Sequence, residues 1–227
     1  MLIFANQGLI VFALPKTGTT SIDTAIGNKA TIRLKGTKGM GLKHINAKRF
    51  NKWNKALKQE FPNQKFVSCC VMREPIDWIS SWFRYRSRES LKNSSRYTGN
   101  LTFEEYLCNL CDRYEKKSSK SLKLMGQSKF IIRKNTIGID RIFPYEKIDN
   151  FTQFISKKLD IKIELPKRNI SPELSKSKME ISKETLEKLK PFISLDVNIY
   201  NEIVKMGSYD SSKEDHKSIL NGIINQF

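Results

Sequence analysis

Residues 9–21, which read LIVFALPKTGTTS, decide the fold. The first six residues of this stretch are apolar on both faces of an extended chain, as in the central strand of a parallel sheet. Pro15 then ends the run, and Thr20 opens a short helix that is expected to end near Gly27. A buried strand, a tight turn and a helix together form the opening unit of an α/β domain.

Apolar runs and helical patterns alternate along the rest of the chain. Residues 65–72 and 139–145 are two further runs typical of strands. Apolar spacing and capping patterns predict helices over residues 45–61, from Pro75 onward, and over 102–114, 148–159, 183–190 and 195–206. This alternation predicts an α/β, three-layer fold with a central, mostly parallel sheet flanked by helices. We expect residues 1–206 to form a single domain and residues 207–227 to form a polar C-terminal tail.

The chain is strongly basic. Among its 227 residues, 41 Lys and Arg oppose 23 Asp and Glu, which gives a net charge of +18. A hydrophobic share of 39% excludes a disordered or collagen-like chain. The charge favours an anionic partner such as nucleic acid, an acidic membrane, an acidic polymer or a phosphate-bearing ligand, although a basic surface that serves only solubility would look the same.

The sequence predicts neither a membrane span nor an export signal. The longest early apolar run, residues 9–14, is far shorter than the roughly 20 residues that a helix needs to cross a bilayer. This run also lacks the basic start and the cleavage site of a signal peptide. We therefore expect a cytoplasmic protein whose four cysteines stay reduced and bind no zinc.

The turn after the first buried strand has the composition of a phosphate-binding loop. A strand that turns directly into a helix aims backbone N–H groups at one point, and the helix dipole adds positive potential there. Lys16 adds a full charge, Gly18 lets the backbone approach an anion, and hydroxyls follow at residues 19–21. The lysine precedes the glycine, so the loop does not fit the Walker pattern of nucleoside triphosphatases. A capped helix without a ligand is the alternative.

A second motif follows the next long strand, where residues 71–81 read VMREPIDWISS. Arg73 ends that strand, and Ser81 lies eight residues further on, two turns into the next helix. Ligands of open α/β sheets bind outside the carboxyl ends of the strands. Arg73 and Ser81 are therefore candidates for holding a second phosphate beside the first loop.

Together the two motifs resemble a known family. Pro-Lys-x-Gly-Thr-x-Ser after the first strand and Arg-x-Pro-x5-Ser after a later one are similar to the nucleotide motifs of sulfotransferases that use 3′-phosphoadenosine-5′-phosphosulfate (PAPS). The resemblance implies the P-loop-like sulfotransferase fold, PAPS as co-substrate and 3′-phosphoadenosine-5′-phosphate (PAP) as product. It also implies that the 5′ end is held by Lys16, Thr17, Gly18, Thr19, Thr20 and Ser21, and the 3′-phosphate by Arg73 and Ser81.

A looser likeness points to the carbohydrate-type branch, which includes the heparan and chondroitin enzymes, in a soluble form. Lys43-His44, followed by an aromatic-bearing helix, resembles the place where this branch carries a candidate base. The stretch from Arg168, followed by Asp196, resembles its C-terminal pattern. The Arg-Lys-Gly element of the cytosolic small-molecule branch has no clear counterpart, and Arg168 is the residue expected to replace it as a nucleotide contact.

The resemblance implies transfer of a sulfuryl group to an acceptor hydroxyl, and a saccharide or glycan is the expected acceptor, with lipid, peptide tyrosine and small metabolite left open. The positive charge of the chain favours an acceptor that is already anionic. Lys16 and His44 are the candidate catalytic residues, with Glu60 and Glu74 as alternative bases, and no metal is required because Lys16 and backbone dipoles supply the positive charge. Two alternatives stay open: a nucleotide-dependent phosphotransferase, and a nucleic-acid-binding protein, which is disfavoured because no recognition motif is present.

The three tryptophans, and the basic stretch that follows the second motif, each admit two interpretations. Trp53, Trp78 and Trp82 recur at helical positions and are expected in the core rather than as platforms for a base or sugar. The stretch 84–88, RYRSR, could guide an anionic acceptor, or it could be an ordinary solvated face.

Overall fold

The computed structural model describes residues 1–36, 42–116, 126–166 and 174–227. Its strands are β1 (Leu2–Phe4), β2 (Leu9–Val11), β3 (Ile32–Arg33), β4 (Val67–Met72), β5 (Ile132–Arg133), β6 (Thr136–Ile137), β7 (Arg141–Pro144) and β8 (Tyr209–Asp210). Its helices are α1 (Thr19–Ile26), α2 (Ala47–Glu60), α3 (Pro75–Arg86), α4 (Phe103–Glu115), α5 (Ser128–Ile131), α6 (Ile148–Leu159), α7 (Lys176–Met179), α8 (Lys183–Lys205) and α9 (Glu214–Asn225).

Six strands form one mixed sheet in the order β3-β1-β2-β4-β7-β8. The central strands β2, β4 and β7 are parallel neighbours. β1 and β8 run in the opposite direction, and β3 is antiparallel to β1. Four strands thus share one direction, and the predicted α/β class with a mostly parallel central sheet is confirmed.

Helices cover both faces of this sheet because its strands alternate their side chains. Ile10 and Phe12 belong to a core shared with α2, α8 and α9. Leu9 and Val11 belong to a second core shared with α1 and α6. A third apolar cluster joins α3, α4 and α8. The double-sided burial explains why the central strands contain almost no polar residues.

One helix in the C-terminal third is longer than the sequence predicts. α8 is a single helix that passes through Pro191, instead of two helices that stop near residue 190 and restart near residue 195. Proline removes one hydrogen bond within a helix. The buried face nevertheless continues from Leu189 through Ile193 to Ile203, so tertiary packing keeps the helix continuous.

Residues 207–227 contain a strand and a helix instead of only a polar tail. β8 pairs with β7, and α9 buries His216, Leu220 and Ile224 on one side at helical spacing. Tyr209 and Leu220 belong to the main core. Six polar or charged residues at 211–216 hide this pattern in the sequence. No helix within the described ranges is long and apolar enough to cross a membrane.

Candidate functional site

The loop between β2 and α1 is held in place from inside the protein. The indole Nε1 of Trp78 donates a hydrogen bond to the Pro15 carbonyl at 2.7 Å, which ties α3 to the loop. The Thr17 hydroxyl donates to the Leu14 carbonyl at 2.9 Å, and Thr17 is 1% exposed. Thr17 was expected to contact the ligand; with its hydroxyl occupied, only its main chain is left for that role.

The backbone of this loop turns sharply between the strand and the helix. Lys16 and Gly18 have positive φ angles of 66° and 72°. Gly18 is the N-cap of α1, and the half-buried Thr19, Thr20 and Ser21 form its first turn. The positive end of the helix dipole adds to the same place.

Arg73 brings the second motif against this loop. Its Nη1 donates to the Lys16 carbonyl at 3.3 Å, and its Nε pairs with Asp77. The guanidinium lies over the Tyr145 ring, with Cζ 4.7 Å from the centroid. Within the described part of the chain these contacts use two of the five guanidinium N–H groups. The two sequence motifs therefore meet at one edge of the sheet, the carboxyl ends of β2 and β4.

Ser81 lies near Arg73 but deeper in the protein. It follows Asp77 by four residues on α3, so the two side chains share a face of that helix. Ser81 is 4% exposed. Its hydroxyl is therefore much less accessible to a ligand than the Arg73 side chain, which is 15% exposed.

The Lys16 ammonium lies in a cationic and aromatic environment. Its Nζ is 4.3 Å from the centroid of the Tyr85 ring and 5.7 Å from that of the Trp82 ring. Burial, and after it the neighbouring arginines Arg88, Arg73 and Arg84, together lower the pKa of Lys16 to about 8. Asp77 pairs with Arg73 and Arg84, and a bound anion would reduce the remaining repulsion at Lys16.

The basic stretch after Lys16's aromatic neighbours packs on the same helix end. Arg86 donates to the Tyr106 hydroxyl at 2.9 Å and lies over the Trp82 ring. Arg88 lies over the Tyr85 ring, with Cζ 4.9 Å from its centroid. The C-terminal end of α3 thus presents cations and aromatic rings next to Lys16.

His44 joins the site through the strand that precedes the loop. Its Nδ1 lies 2.6 Å from the Ala13 carbonyl, so Nδ1 carries the proton and Nε2 keeps a free lone pair. Burial lowers the pKa of His44, and the hydrogen bond to Ala13 opposes that effect in part. A neutral imidazole of fixed orientation can accept a proton at neutral pH.

The two carboxylates considered as alternative bases have other positions. The Glu74 side chain caps α3 by accepting from the Asp77 N–H at 2.6 Å, and the Asp77 carboxylate pairs with Arg73. Glu60 is the exposed last residue of α2. The Glu74 carboxylate is thus engaged as the cap of α3, whereas His44 contacts the segment that leads into the loop.

A cavity of about 270 Å³ opens beside the loop, between the first turn of α1 and Lys43. Its walls are mainly apolar, from residues such as Val11 and Ile22, with Asp23 at one side. Asp23 is paired with Arg33, whose Nε lies 2.8 Å from Oδ1. This cavity and the face around Lys16 flank the loop.

Other expected residues fall into three groups. Arg168 lies outside the described residues. Trp78 is in the core as predicted, and Trp82 packs partly against the same cluster. Trp53 is 39% exposed on α2, so its prediction as a core residue is wrong, because that side of α2 has no layer over it.

Sequence reasoning missed three residues of the site. Tyr145 could have been found, because it follows β7 at the same edge as the other two strand ends. Tyr85 was noted only as part of a basic stretch. Gln127, which hydrogen-bonds the main chain of Arg73, had no local signal in the sequence, since its role depends on a contact 54 residues away.

Comparisons of the chain with protein-family models, curated proteins and solved structures found no match. Among the described residues no three His, Cys, Asp or Glu side chains lie together as a metal site.

Proposed function

We propose that this chain is a PAPS-dependent sulfotransferase that transfers a sulfuryl group to an acceptor hydroxyl. One observation supports the proposal above others: Arg73 Nη1 lies 3.3 Å from the Lys16 carbonyl. The two motifs, which lie 57 residues apart, therefore form one surface. A doubly phosphorylated adenosine needs such a surface, because its two anionic ends must be bound at once.

Different residues would bind the two ends of the nucleotide. Loop N–H groups from Thr17 to Ser21, with the Lys16 ammonium, would bind the 5′-phosphosulfate. The N–H groups of Arg73 that no described residue uses would bind the 3′-phosphate, together with Ser81. Arg168 remains a proposed nucleotide contact on the sequence resemblance alone.

PAPS supplies the sulfuryl group. The protein positions the two reactants and neutralises the charge that develops during the transfer. The acceptor oxygen forms a bond to sulfur as the bond from sulfur to the 5′-phosphate oxygen breaks, and PAP leaves. Lys16 stabilises the charge that develops on the bridging oxygen. His44 Nε2 takes the proton of the acceptor hydroxyl, which contributes about 10²–10⁴-fold in such reactions. No metal ion is needed for this division of roles.

The acceptor class follows from the charge around Lys16. Arg84, Arg86 and Arg88 surround the open side of the loop with Trp82 and Tyr85. Cations that bind anionic groups suit a saccharide or glycan that already carries negative charge. We therefore expect an anionic glycan as the acceptor, and no nucleic-acid partner.

Thermal unfolding in the presence of nucleotides tests this function. PAP should raise the melting temperature by several degrees at a concentration about 100-fold above its Kd, while ATP with Mg²⁺ should raise it little. Lys16→Met should abolish the PAP effect and the transfer of radiolabelled sulfate from PAPS in a screen of glycan acceptors. Lys29→Met, at an exposed position, makes the same charge change and should keep both.

Each alternative has its own outcome. Stabilisation by ATP with Mg²⁺ and none by PAP would indicate a nucleotide-dependent phosphotransferase. Stabilisation by oligonucleotides and by neither nucleotide would indicate a nucleic-acid-binding protein.

A further inference from the structure

The main chain of Arg73 stands where the sheet stops. The pairing of β4 with β7 ends at Met72 and Pro144, and α3 begins at Pro75. The N–H and C=O of one extended residue point to the same side of the chain. At Arg73 these two groups would therefore lack the neighbouring strand that satisfies them within the sheet.

The side chain of Gln127 takes the place of that strand. Its Oε1 accepts from the Arg73 N–H at 2.9 Å, and its Nε2 donates to the Arg73 carbonyl at 2.7 Å. Gln127 has no exposed surface. A single buried amide thus pairs with both polar groups of one residue and holds the Arg73 backbone in one place.

Gln127 is in turn held by a buried carboxylate. Asp196 on α8 is 2% exposed, and its two oxygens accept from the main-chain N–H groups of Gln127 at 2.5 Å and Ser128 at 3.0 Å. Gly126 makes room for it: a Cβ there would lie 2.1 Å from Asp196 Oδ2, and its φ is +130°. The path of hydrogen bonds from α8 to Arg73 is therefore continuous, and the Asp196 and Gln127 side chains within it are buried.

The Arg73 guanidinium is fixed at its other end as well. Asp77, the Lys16 carbonyl and the Tyr145 ring contact the guanidinium, while Gln127 holds the backbone from which it extends. A side chain constrained at both ends loses little freedom when it binds a ligand.

We propose that Gln127, anchored by Asp196, is a positioning residue that sets the selectivity of the site for a nucleotide with a 3′-phosphate. The inference rests on the proposed function, which assigns Arg73 to that phosphate. Gln127 touches no ligand. It acts through Arg73, so its loss should weaken recognition of the 3′-phosphate and leave recognition of the 5′ end intact.

The ratio of the Kd for AMP to the Kd for PAP measures this selectivity, because the two nucleotides differ only by the 3′-phosphate. We expect calorimetry on Gln127→Met, an uncharged variant of similar size, to give a ratio at least about tenfold lower than wild type, with the AMP Kd within about twofold. Gln153→Met on the exposed side of α6 is the matched control and should keep the wild-type ratio. In an Arg73→Ala background, Gln127→Met should produce no further change in the ratio.

A second variant covers the case in which Gln127→Met does not fold. Asp196→Asn keeps one acceptor oxygen for two N–H groups, and we expect it to lower the ratio by about two- to fivefold. A folded Gln127→Met protein with an unchanged ratio, or with AMP and PAP weakened equally, would overturn the inference and leave the proposed function standing. A wild-type protein that does not distinguish PAP from AMP would instead overturn the proposed function.

Discussion

Raising the pH should weaken PAP binding through one residue, Lys16. Burial and the neighbouring arginines lower its pKa from 10.5 to about 8. The anionic 5′ end of the nucleotide binds the protonated form of Lys16. The affinity is therefore highest at pH values below this pKa and falls as the pH rises through it. A group with a pKa near 8 is mostly charged at pH 7 and mostly neutral at pH 9, which predicts about a tenfold rise in the Kd for PAP between these values.

The assay is calorimetric titration with PAP from pH 6.5 to pH 9.5 at constant ionic strength. Phosphate monoesters have a second pKa of about 6, so PAP itself does not titrate over most of this range. Lys16→Arg supplies the control, because a guanidinium stays charged throughout. It should bind PAP with some loss of fit but with an affinity that does not change between pH 7 and pH 9.

Two results would refute the reasoning. A wild-type Kd that stays constant up to pH 9 would show that Lys16 has an ordinary pKa or does not contact the ligand. A loss of affinity that persists in Lys16→Arg would assign the titration to another group. The pKa of Lys16 can also be read directly by NMR of the lysine Cε, without any ligand.

Two further predictions concern the stability of the loop, measured as the free energy of unfolding in urea. Trp78→Phe removes the donor that lies 2.7 Å from the Pro15 carbonyl and should lower the free energy of unfolding by about 1–3 kcal/mol. Trp53→Phe, at an exposed position, should lower it by less than about 0.5 kcal/mol. Equal losses in the two variants would show that this hydrogen bond does not stabilise the loop. Gly18→Ala places a Cβ on a residue with a φ of +72°, 3.3 Å from the Tyr145 ring, and should lower the free energy of unfolding by about 1–2 kcal/mol. Gly222→Ala lies within α9 with open space around it and should raise the free energy of unfolding by about 0.5–1 kcal/mol. Changes of the same sign in the two variants would contradict this prediction.

Local patterns were sufficient for most of the elements. The apolar run at 9–14 and the run that ends at Met72 were identifiable as buried strands, because a strand covered by helices on both faces cannot alternate polar and apolar residues. The capping box of Thr102 and Glu105 marked the start of α4 correctly. Such signals involve residues within a few positions of one another, and for that reason they can be read from the chain directly.

Failures occurred where a distant contact outweighed the local signal. Pro191 suggested a break that the buried face of α8 overrides, and the polar residues after position 207 concealed a helix whose apolar side completes the core. Trp53 was assigned to the core by its spacing, but only the tertiary structure decides which side of α2 is covered.

The sequence by itself determined the class of the fold and predicted two anion-binding motifs, because these depend on residue type and short spacing, whereas the roles proposed for Lys16, Arg73 and His44 in sulfuryl transfer rest on the family resemblance. Only the tertiary structure decided that the motifs adjoin and that Gln127 supports the Arg73 backbone. The physical reason is that hydrogen bonds and charge interactions act over a few ångströms in space, whereas the residues that make them are 54 to 57 positions apart along the chain.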